Sequence, residues 1–365
     1  MKPVINEYFP DLEKIPWISL REYPTEVEKL ERMGEARGFS NLYIKRDDCC
    51  NPVYGGNKVR KLEYVLADAL QKEKKTLITL GGSGSNQVLA TGIFGAELGF
   101  DVVGIMMDQP NALYVRKNLL LDQYYGVKLV YANDALSEVV SFVIEYLRTE
   151  LGGGKPYFVT AGASSELGNM GFVNAAFELK KQVETGDMSE PDYIIAACGS
   201  IGTSAGLNLG CKLAGLKTKV IAVRVAMPWI TTKWRMRRMI RDINNFMRRY
   251  DTTVPRVDML EEDLILLEDY LGEDYAAFSD CSCQCVDDML EFEDIHLEHT
   301  YTGKAMGGGL DWLKKQGKTD ETILFWNTYN SVDLSEKAAT VDYKTLPAKF
   351  HKYFTEPVQE ETWGS

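Results

Sequence analysis

Six short runs in this chain are apolar at almost every position, and each is followed within a few residues by a glycine or a helix-period segment. They lie at 76–80, 102–106, 127–131, 193–197, 220–225 and 322–326. A strand that is apolar on both sides needs cover on both faces, which is the condition of a parallel sheet sandwiched between helices. Stretches with helical spacing fill the intervals at 58–70, 87–98, 136–151 and 171–183. Strand followed by helix, repeated, predicts an α/β fold. A chain of 365 residues exceeds the roughly 100–200 residues of one ordinary domain, so two such units are expected. The polar break at 184–191 is the expected boundary between two blocks of strand–helix units.

Charge and composition narrow the partners. Lys and Arg number 41 against 53 Asp and Glu, a net charge of −12, which disfavours nucleic acid and acidic membranes. No apolar run approaches the roughly 18–20 residues of a membrane span. The first residues, Met1 to Glu7, lack the apolar core of a secretion signal, and the seven cysteines are odd in number with Cys49 and Cys50 adjacent. Reduced thiols in a cytoplasmic protein are the expectation. Cys281, Cys283 and Cys285 lack a histidine or fourth cysteine at ligand spacing, so no metal site is expected. His296, His299 and His351 fall in no hydrolytic pattern. The stretch 233–249 carries seven Lys or Arg and one acid, Asp242. Its Trp234, Ile240 and Phe246 form no strong stripe, and it reads as a solvated helix or subunit-contact face, with an anion site as the alternative.

Three loops carry chemistry. Gly55-Gly56 precede Asn57-Lys58 at a helix start, where the positive end of the helix dipole favours a neutral, nucleophilic lysine. A surface turn with a solvated basic helix start explains the same residues. Gly81-Gly82-Ser83-Gly84-Ser85-Asn86 joins a strand to a helix, a generic anion-cradling arrangement without the full dinucleotide or P-loop spacing. Cys198-Gly199-Ser200-Ile201-Gly202-Thr203-Ser204 does the same with several backbone donors and three hydroxyls, which suits a phosphate monoester. Small residues for close helix–strand packing would explain Ala205-Gly206 but not the hydroxyl cluster.

Lys45-Arg46-Asp47-Asp48, Gly55 through Glu63, Gly84-Ser85-Asn86-Gln87, Gly199 through Thr203, and Tyr301-Thr302-Gly303-Lys304-Ala305 follow one another in order. Together they resemble the pyridoxal-phosphate enzymes typified by D-cysteine desulfhydrase and aminocyclopropane carboxylate deaminase, relatives of the tryptophan synthase β subunit. The resemblance spans about residues 40–330. It implies two open, twisted parallel-sheet domains with pyridoxal 5'-phosphate between them. The larger would comprise 1–64 and 186–365, the smaller 65–185. By resemblance Lys58 bonds the cofactor, Asn86 holds its phenolic oxygen, and Ser200, Ile201, Gly202 and Thr203 hold its phosphate. Thr328 would face its ring nitrogen. Ser85 would face the substrate, with Tyr275 and Tyr301 as the pocket tyrosines. A homodimer acting on a small amino acid is implied.

Several positions depart from that pattern. Asn327-Thr328-Tyr329-Asn330 stands where the family has His-Thr-Gly-Gly, Cys49-Cys50 replaces a small apolar pair, a basic residue near Leu89 is missing, and the region 227–271 is long. The expected reaction is β-elimination from a D-cysteine-like amino acid to pyruvate, ammonia and sulfide. Cyclopropane ring opening, another β-substituted substrate, and a cofactor-binding protein without turnover are the alternatives. A nucleotide-binding dehydrogenase is disfavoured by the glycine spacings.

Overall fold

In a computed structural model, which describes residues 2–273 and 275–359, every one of the six apolar runs becomes a strand. The chain opens with β1 (Val27–Lys29), α1 (Glu31–Arg37), β2 (Asn41–Lys45) and α2 (Asn57–Gln71). Next come β3 (Thr76–Gly82), α3 (Asn86–Glu97), β4 (Asp101–Met107), α4 (Leu113–Tyr124), β5 (Lys128–Ala132), α5 (Ala135–Leu151) and β6 (Pro156–Val159). Then follow α6 (Glu166–Thr185), β7 (Tyr193–Cys198), α7 (Gly202–Ala214), β8 (Lys219–Arg224), α8 (Lys233–Tyr250) and β9 (Ile265–Leu267). The remainder is α9 (Asp280–Glu293), α10 (Thr302–Lys315), β10 (Thr322–Trp326), α11 (Ser335–Ala339) and α12 (Lys352–Thr355).

The contacts divide the chain into two units. The first, Met1–Tyr64 with Ser164–Val332, holds a six-stranded sheet in the order β1-β2-β10-β7-β8-β9. All its pairings are parallel except that of β1 with β2 at the edge. Successive residues serve opposite faces, as strand geometry requires. Ile195 and Phe325 pack with Met289, Met306 and Leu313 of α9 and α10. Their neighbours Ile194, Leu324 and Trp326 pack with Phe172, Ala176 and Leu207 of α6 and α7. Each such fully buried side chain contributes about 1.5–3 kcal/mol of apolar transfer. The second unit, Val65–Ala163 with Asp333–Ser365, holds a parallel sheet in the order β5-β4-β3-β6. Ile78, Val103, Ile105 and Ala132 form one apolar cluster there with Phe142 and Tyr146 of α5.

Two expectations about organisation need correction. The helix α6, expected in the smaller block at 65–185, lies in the first unit, and the segment from Asp333 lies in the second rather than with 186–365. The polar break at 184–191 ends a helix; it does not mark which sheet that helix covers. Close packing settles that question: a Cβ on Gly206 would lie 2.6 Å from Phe172 and one on Gly210 2.6 Å from Ala176. In α8 the stripe exists after all, made of Met236, Ile240, Ile243 and Met247, all buried at helical spacing, while Trp234 is exposed.

Candidate active site

The glycine turn before α2 places Lys58 in the first turn of that helix. Gly56 has φ of +89°, a left-handed conformation natural to glycine. A Cβ on Gly55 would collide with the Asp48 carbonyl, and one on Gly56 would lie 2.6 Å from the Tyr329 carbonyl. The turn is pinned by Gly56 N–H to Asp47 O (2.7 Å), Asn57 N–H to Thr328 O (3.2 Å) and Gly55 N–H to Asn330 Oδ1 (2.7 Å). The segment Thr328-Tyr329-Asn330 is thus the support of the turn that carries Lys58. Behind them lies a buried ion network. Arg60 pairs with Asp47 (2.6 Å) and Glu178 (3.0 Å), and Lys45 pairs with Glu178 (2.8 Å). The Trp326 indole donates to the Asp47 carboxylate at 2.7 Å.

Lys58 is partly buried, and desolvation pulls its ammonium down to about 8 against an opposing pull from the Glu298 carboxylate. Its Nζ donates to Asn57 Oδ1 at 3.0 Å, and Asn57 Nδ2 donates to Thr203 Oγ1 at 3.2 Å.

Thr203 belongs to the loop between β7 and α7, where Ile201 adopts a φ of +68° despite its branched side chain. Gly202 follows at the start of α7. A Cβ there would run into Asn169 and lie 2.5 Å from Ser164 Oγ and 2.7 Å from Lys61 Nζ. The N–H groups of Thr203 and Ser204 precede the first bond of the helix, Ala205 N–H to Ile201 O. Lys61 Nζ donates to Ser164 Oγ (2.9 Å), which is 2.8 Å from Ser200 Oγ. Burial, then the nearby Lys58 charge, pushes Lys61 well below the ordinary lysine range. An anion beside two such lysines, three hydroxyls and a helix N-terminus relieves their repulsion, so the donor set fits a phosphate monoester. Sequence reading missed Lys61 and Ser164 as part of this cluster. Lys61 was legible, since it lies three positions after Lys58 on one helix face. Ser164 was not, being more than a hundred residues away.

The same unit holds the tyrosine corner. The hydroxyls of Tyr275 and Tyr301 hydrogen-bond to each other, with ring centroids 6.3 Å apart. Burial raises the Tyr275 phenol above its usual value. Beside them the buried Glu298 carboxylate accepts from the N–H groups of Thr300 (2.8 Å), Tyr301 (2.9 Å) and Thr302 (2.6 Å), and from Thr302 Oγ1 (2.9 Å). It caps the N-terminus of α10, and burial raises its acid range while these bonds oppose the rise. Glu298 is a further residue that motif reading did not single out.

Ser85 and Asn86 belong to the second unit. Ser85 caps α3, accepting from Val88 N–H at 3.4 Å, and Asn86 Oδ1 accepts from Asn118 Nδ2 at 2.9 Å. Gln109 holds the same loop: its Oε1 accepts from Gly84 N–H (2.9 Å) and its Nε2 donates to Tyr114 OH (2.7 Å). Gln109 in turn is held by the chain's C-terminal part, through its N–H to Tyr353 OH at 3.2 Å. Tyr353 OH donates to Asp108 at 3.0 Å. The glycines of this loop leave room for Ser85 and Gln109: a Cβ on Gly81 would collide with Ser85 and one on Gly82 with Gln109. Among the described residues no group of three or more His, Cys, Asp or Glu could hold a metal ion, and no helix is long and apolar enough to cross a membrane.

A lysine and a hydroxyl-rich helix start beyond the carboxyl ends of parallel strands are the arrangement of an α/β enzyme built around a phosphorylated ligand. The chain belongs to the family of pyridoxal-phosphate dependent enzymes, whose model matches residues 18–328. It is a pyridoxal-phosphate-dependent enzyme of the aminocyclopropane carboxylate deaminase and D-cysteine desulfhydrase group. It is 32% identical over 322 residues to a Pyrococcus furiosus protein provisionally named 1-aminocyclopropane-1-carboxylate deaminase, covering 88% of this chain and 92% of that one. It is also 32% identical over 323 residues to the D-cysteine desulfhydrase of Salmonella newport, covering 87% and 94%. The crystal structure of an ACC deaminase homologue superposes with a TM-score of 0.76 at 28% identity, over 93% of this chain and 99% of that one. The threonine deaminase isoform 2 of Solanum lycopersicum shares the fold, at a TM-score of 0.61 and 16% identity over 93% of each chain.

Proposed function

We propose that this enzyme, a homodimer, catalyses β-elimination from a small D-cysteine-like amino acid, which with one water yields pyruvate, ammonia and sulfide. Pyridoxal phosphate, when bound, supplies the electron sink for carbanion chemistry at the substrate's α-carbon. Lys58 bonds it and moves the α-proton at Nζ, whose low proton affinity suits a base working near neutral pH. Asn57 fixes the Lys58 amine against the phosphate loop, where Ser200, Ile201, Gly202 and Thr203 join Lys61 and Ser164. Asn86 holds the phenolic oxygen and Ser85 faces the substrate. The hydrogen-bonded Tyr275 and Tyr301 orient the substrate and hold a proton between them.

The observation that carries the choice of reaction is Thr302. The ring-opening branch has a carboxylate at the position after the pocket tyrosine. Here that position is a threonine whose hydroxyl donates to Glu298 at 2.9 Å. Glu298 itself is engaged by three backbone N–H groups. By the family resemblance the neutral hydroxyl of Thr328 faces the ring nitrogen. A neutral partner stabilises the protonated ring less than a carboxylate does. The weaker sink suffices when a thiolate leaves but handicaps the breaking of a carbon–carbon bond.

The test compares turnover of D-cysteine, L-cysteine, β-chloroalanine and 1-aminocyclopropane-1-carboxylate, reading keto acid and sulfide. D-cysteine is expected to be turned over fastest. Faster turnover of the cyclopropane would overturn the ring-nitrogen argument. A preference for β-chloroalanine alone would keep β-elimination and discard D-cysteine.

A further inference from the structure

The segment that joins β8 to α8 reaches back to the loop between β7 and α7 through one side chain. Thr231, fully buried, donates from Oγ1 to the Gly199 carbonyl at 2.7 Å. Its own carbonyl accepts twice from the buried Arg224 at the end of β8, from Nε at 3.0 Å and from Nη2 at 2.8 Å. Arg224 is held in turn by the Glu268 carboxylate, just past β9. One residue before Gly199, the Cys198 carbonyl accepts from Val225 N–H at 3.2 Å, continuing the pairing of β7 with β8. Both carbonyls that lead into the loop are thus tied to the β8 side.

The tie at Gly199 governs the next N–H. A trans peptide is planar, with its C=O and N–H pointing opposite ways. Holding the Gly199 oxygen toward Thr231 therefore turns the Ser200 N–H away from Thr231. Gly199 itself does not fix that plane. Its backbone is outside the left-handed region, and a Cβ there would meet only Val225 and Ala226, at 3.8 and 3.9 Å. Glycine accepts either orientation of the peptide. Without the Thr231 hydroxyl the plane can turn, and an oxygen that repels an anion replaces an N–H that attracts one. The Ser200 N–H matters the more because Gly202 N–H is already engaged with Ser200 O at 2.8 Å.

We infer that Thr231 is a positioning residue for the cofactor: through the Gly199–Ser200 peptide it aims the Ser200 N–H at the phosphate. Arg224 keeps Thr231 in place for that task by its paired bonds to the Thr231 carbonyl. The inference rests on the reading that this loop holds the cofactor's phosphate. It extends that reading to a residue 32 positions beyond Gly199. It does not depend on which reaction the enzyme catalyses.

The experiment titrates the full cofactor-free chain with pyridoxal 5'-phosphate and, separately, with pyridoxal, which lacks the phosphate, following absorbance. The natural chain is compared with Thr231→Val, Thr231→Ser and Thr203→Ala. Thr231→Val removes the donor and is expected to weaken pyridoxal 5'-phosphate about tenfold or more while leaving pyridoxal unchanged. Thr231→Ser keeps the hydroxyl and should restore the natural affinity. Inorganic phosphate, measured by calorimetry on the same proteins, should follow the phosphorylated ligand. Thr231→Ala supplies the same comparison if the valine is not tolerated. An unchanged affinity of Thr231→Val for pyridoxal 5'-phosphate would overturn the inference. So would an equal loss for both ligands, which is what a merely structural role produces. Thr203→Ala separates the two failures. If it alone weakens the phosphorylated ligand, the loop reading stands and the role of Thr231 falls; if it too has no effect, both fall.

Discussion

Lys58 and Thr203 grip opposite ends of one side-chain amide: Asn57 Oδ1 accepts from the Lys58 amine at 3.0 Å, and Asn57 Nδ2 donates to the Thr203 hydroxyl at 3.2 Å. The amine that is to bond the cofactor and the loop that is to hold its phosphate are thereby set at a fixed separation. Asn57 can do this because Gly56 turns the chain and Thr328 O fixes the Asn57 N–H at 3.2 Å.

Cofactor attachment should map to Lys58. Borohydride reduction of the yellow protein followed by peptide mapping is expected to find the pyridoxyl group there. Its appearance on Lys61, whose amine is engaged with Ser164 at 2.9 Å, would refute the assignment.

The amine should also titrate early. A Lys58 lowered to about 8 is mostly neutral, and so nucleophilic, above that pH, whereas an ordinary lysine stays charged to about 10.4. The rate at which cofactor-free protein takes up pyridoxal phosphate should therefore rise with pH through a midpoint near 8. Glu298 favours the charged amine, so Glu298→Gln should move that midpoint lower. A midpoint near 10 in both proteins would contradict the placement of Lys58.

Thr203→Ala removes both a hydroxyl beside the phosphate site and the anchor of Asn57. A charge-assisted hydrogen bond contributes about 1.5–3 kcal/mol, so cofactor affinity should weaken by roughly one to two orders of magnitude. Titration of the cofactor into the variant, followed by absorbance, checks it.

Arg60→Met should be costly to folding. It removes the cation that lies within 2.6 Å of the buried Asp47 carboxylate and 3.0 Å of Glu178, leaving Glu178 with Lys45 and Arg21 and Asp47 with no ion pair among the described residues. Leaving a buried pair half-broken costs about 3–5 kcal/mol, readable as a lower urea midpoint. Burial would raise both acids, but Arg60 together with Lys45 and Arg21 outweighs it and holds them below the ordinary carboxylate range. The folded protein thus binds fewer protons than the unfolded chain. Their contribution is present above the ordinary carboxylate range and lost as pH falls through the lowered values. Acid sensitivity of the natural chain should be blunted in Arg60→Met.

Gln109→Leu should loosen the loop that carries Ser85. It removes the acceptor of Gly84 N–H at 2.9 Å and the donor to Tyr114 at 2.7 Å. Turnover is expected to fall several-fold while pyridoxyl labelling of Lys58 is unchanged. A parallel loss of both would show that Gln109 serves only stability.

What the amino-acid order alone determined is whatever depends on near neighbours. Runs such as 193–197 and 323–326 announced buried strands because every position is apolar. The glycine pair before Lys58 announced a turn because few other residues take its backbone angles. The ordered loops named the family. Tertiary structure decided what depends on distant residues meeting. Ser164 joins Lys61 across more than a hundred residues of chain and Ser200 across 36. Helix α6 belongs with Trp326 and not with the strands that precede it, because Phe172 and Ala176 fit that face. The loop at Thr328 turned out to brace Gly55, Gly56 and Asn57. The apolar spacing of α5 was visible as a helix, but only the packed fold shows which of its faces meets the sheet. Spacing encodes a period, whereas burial is a property of what lies opposite, and what lies opposite is brought there by the rest of the chain.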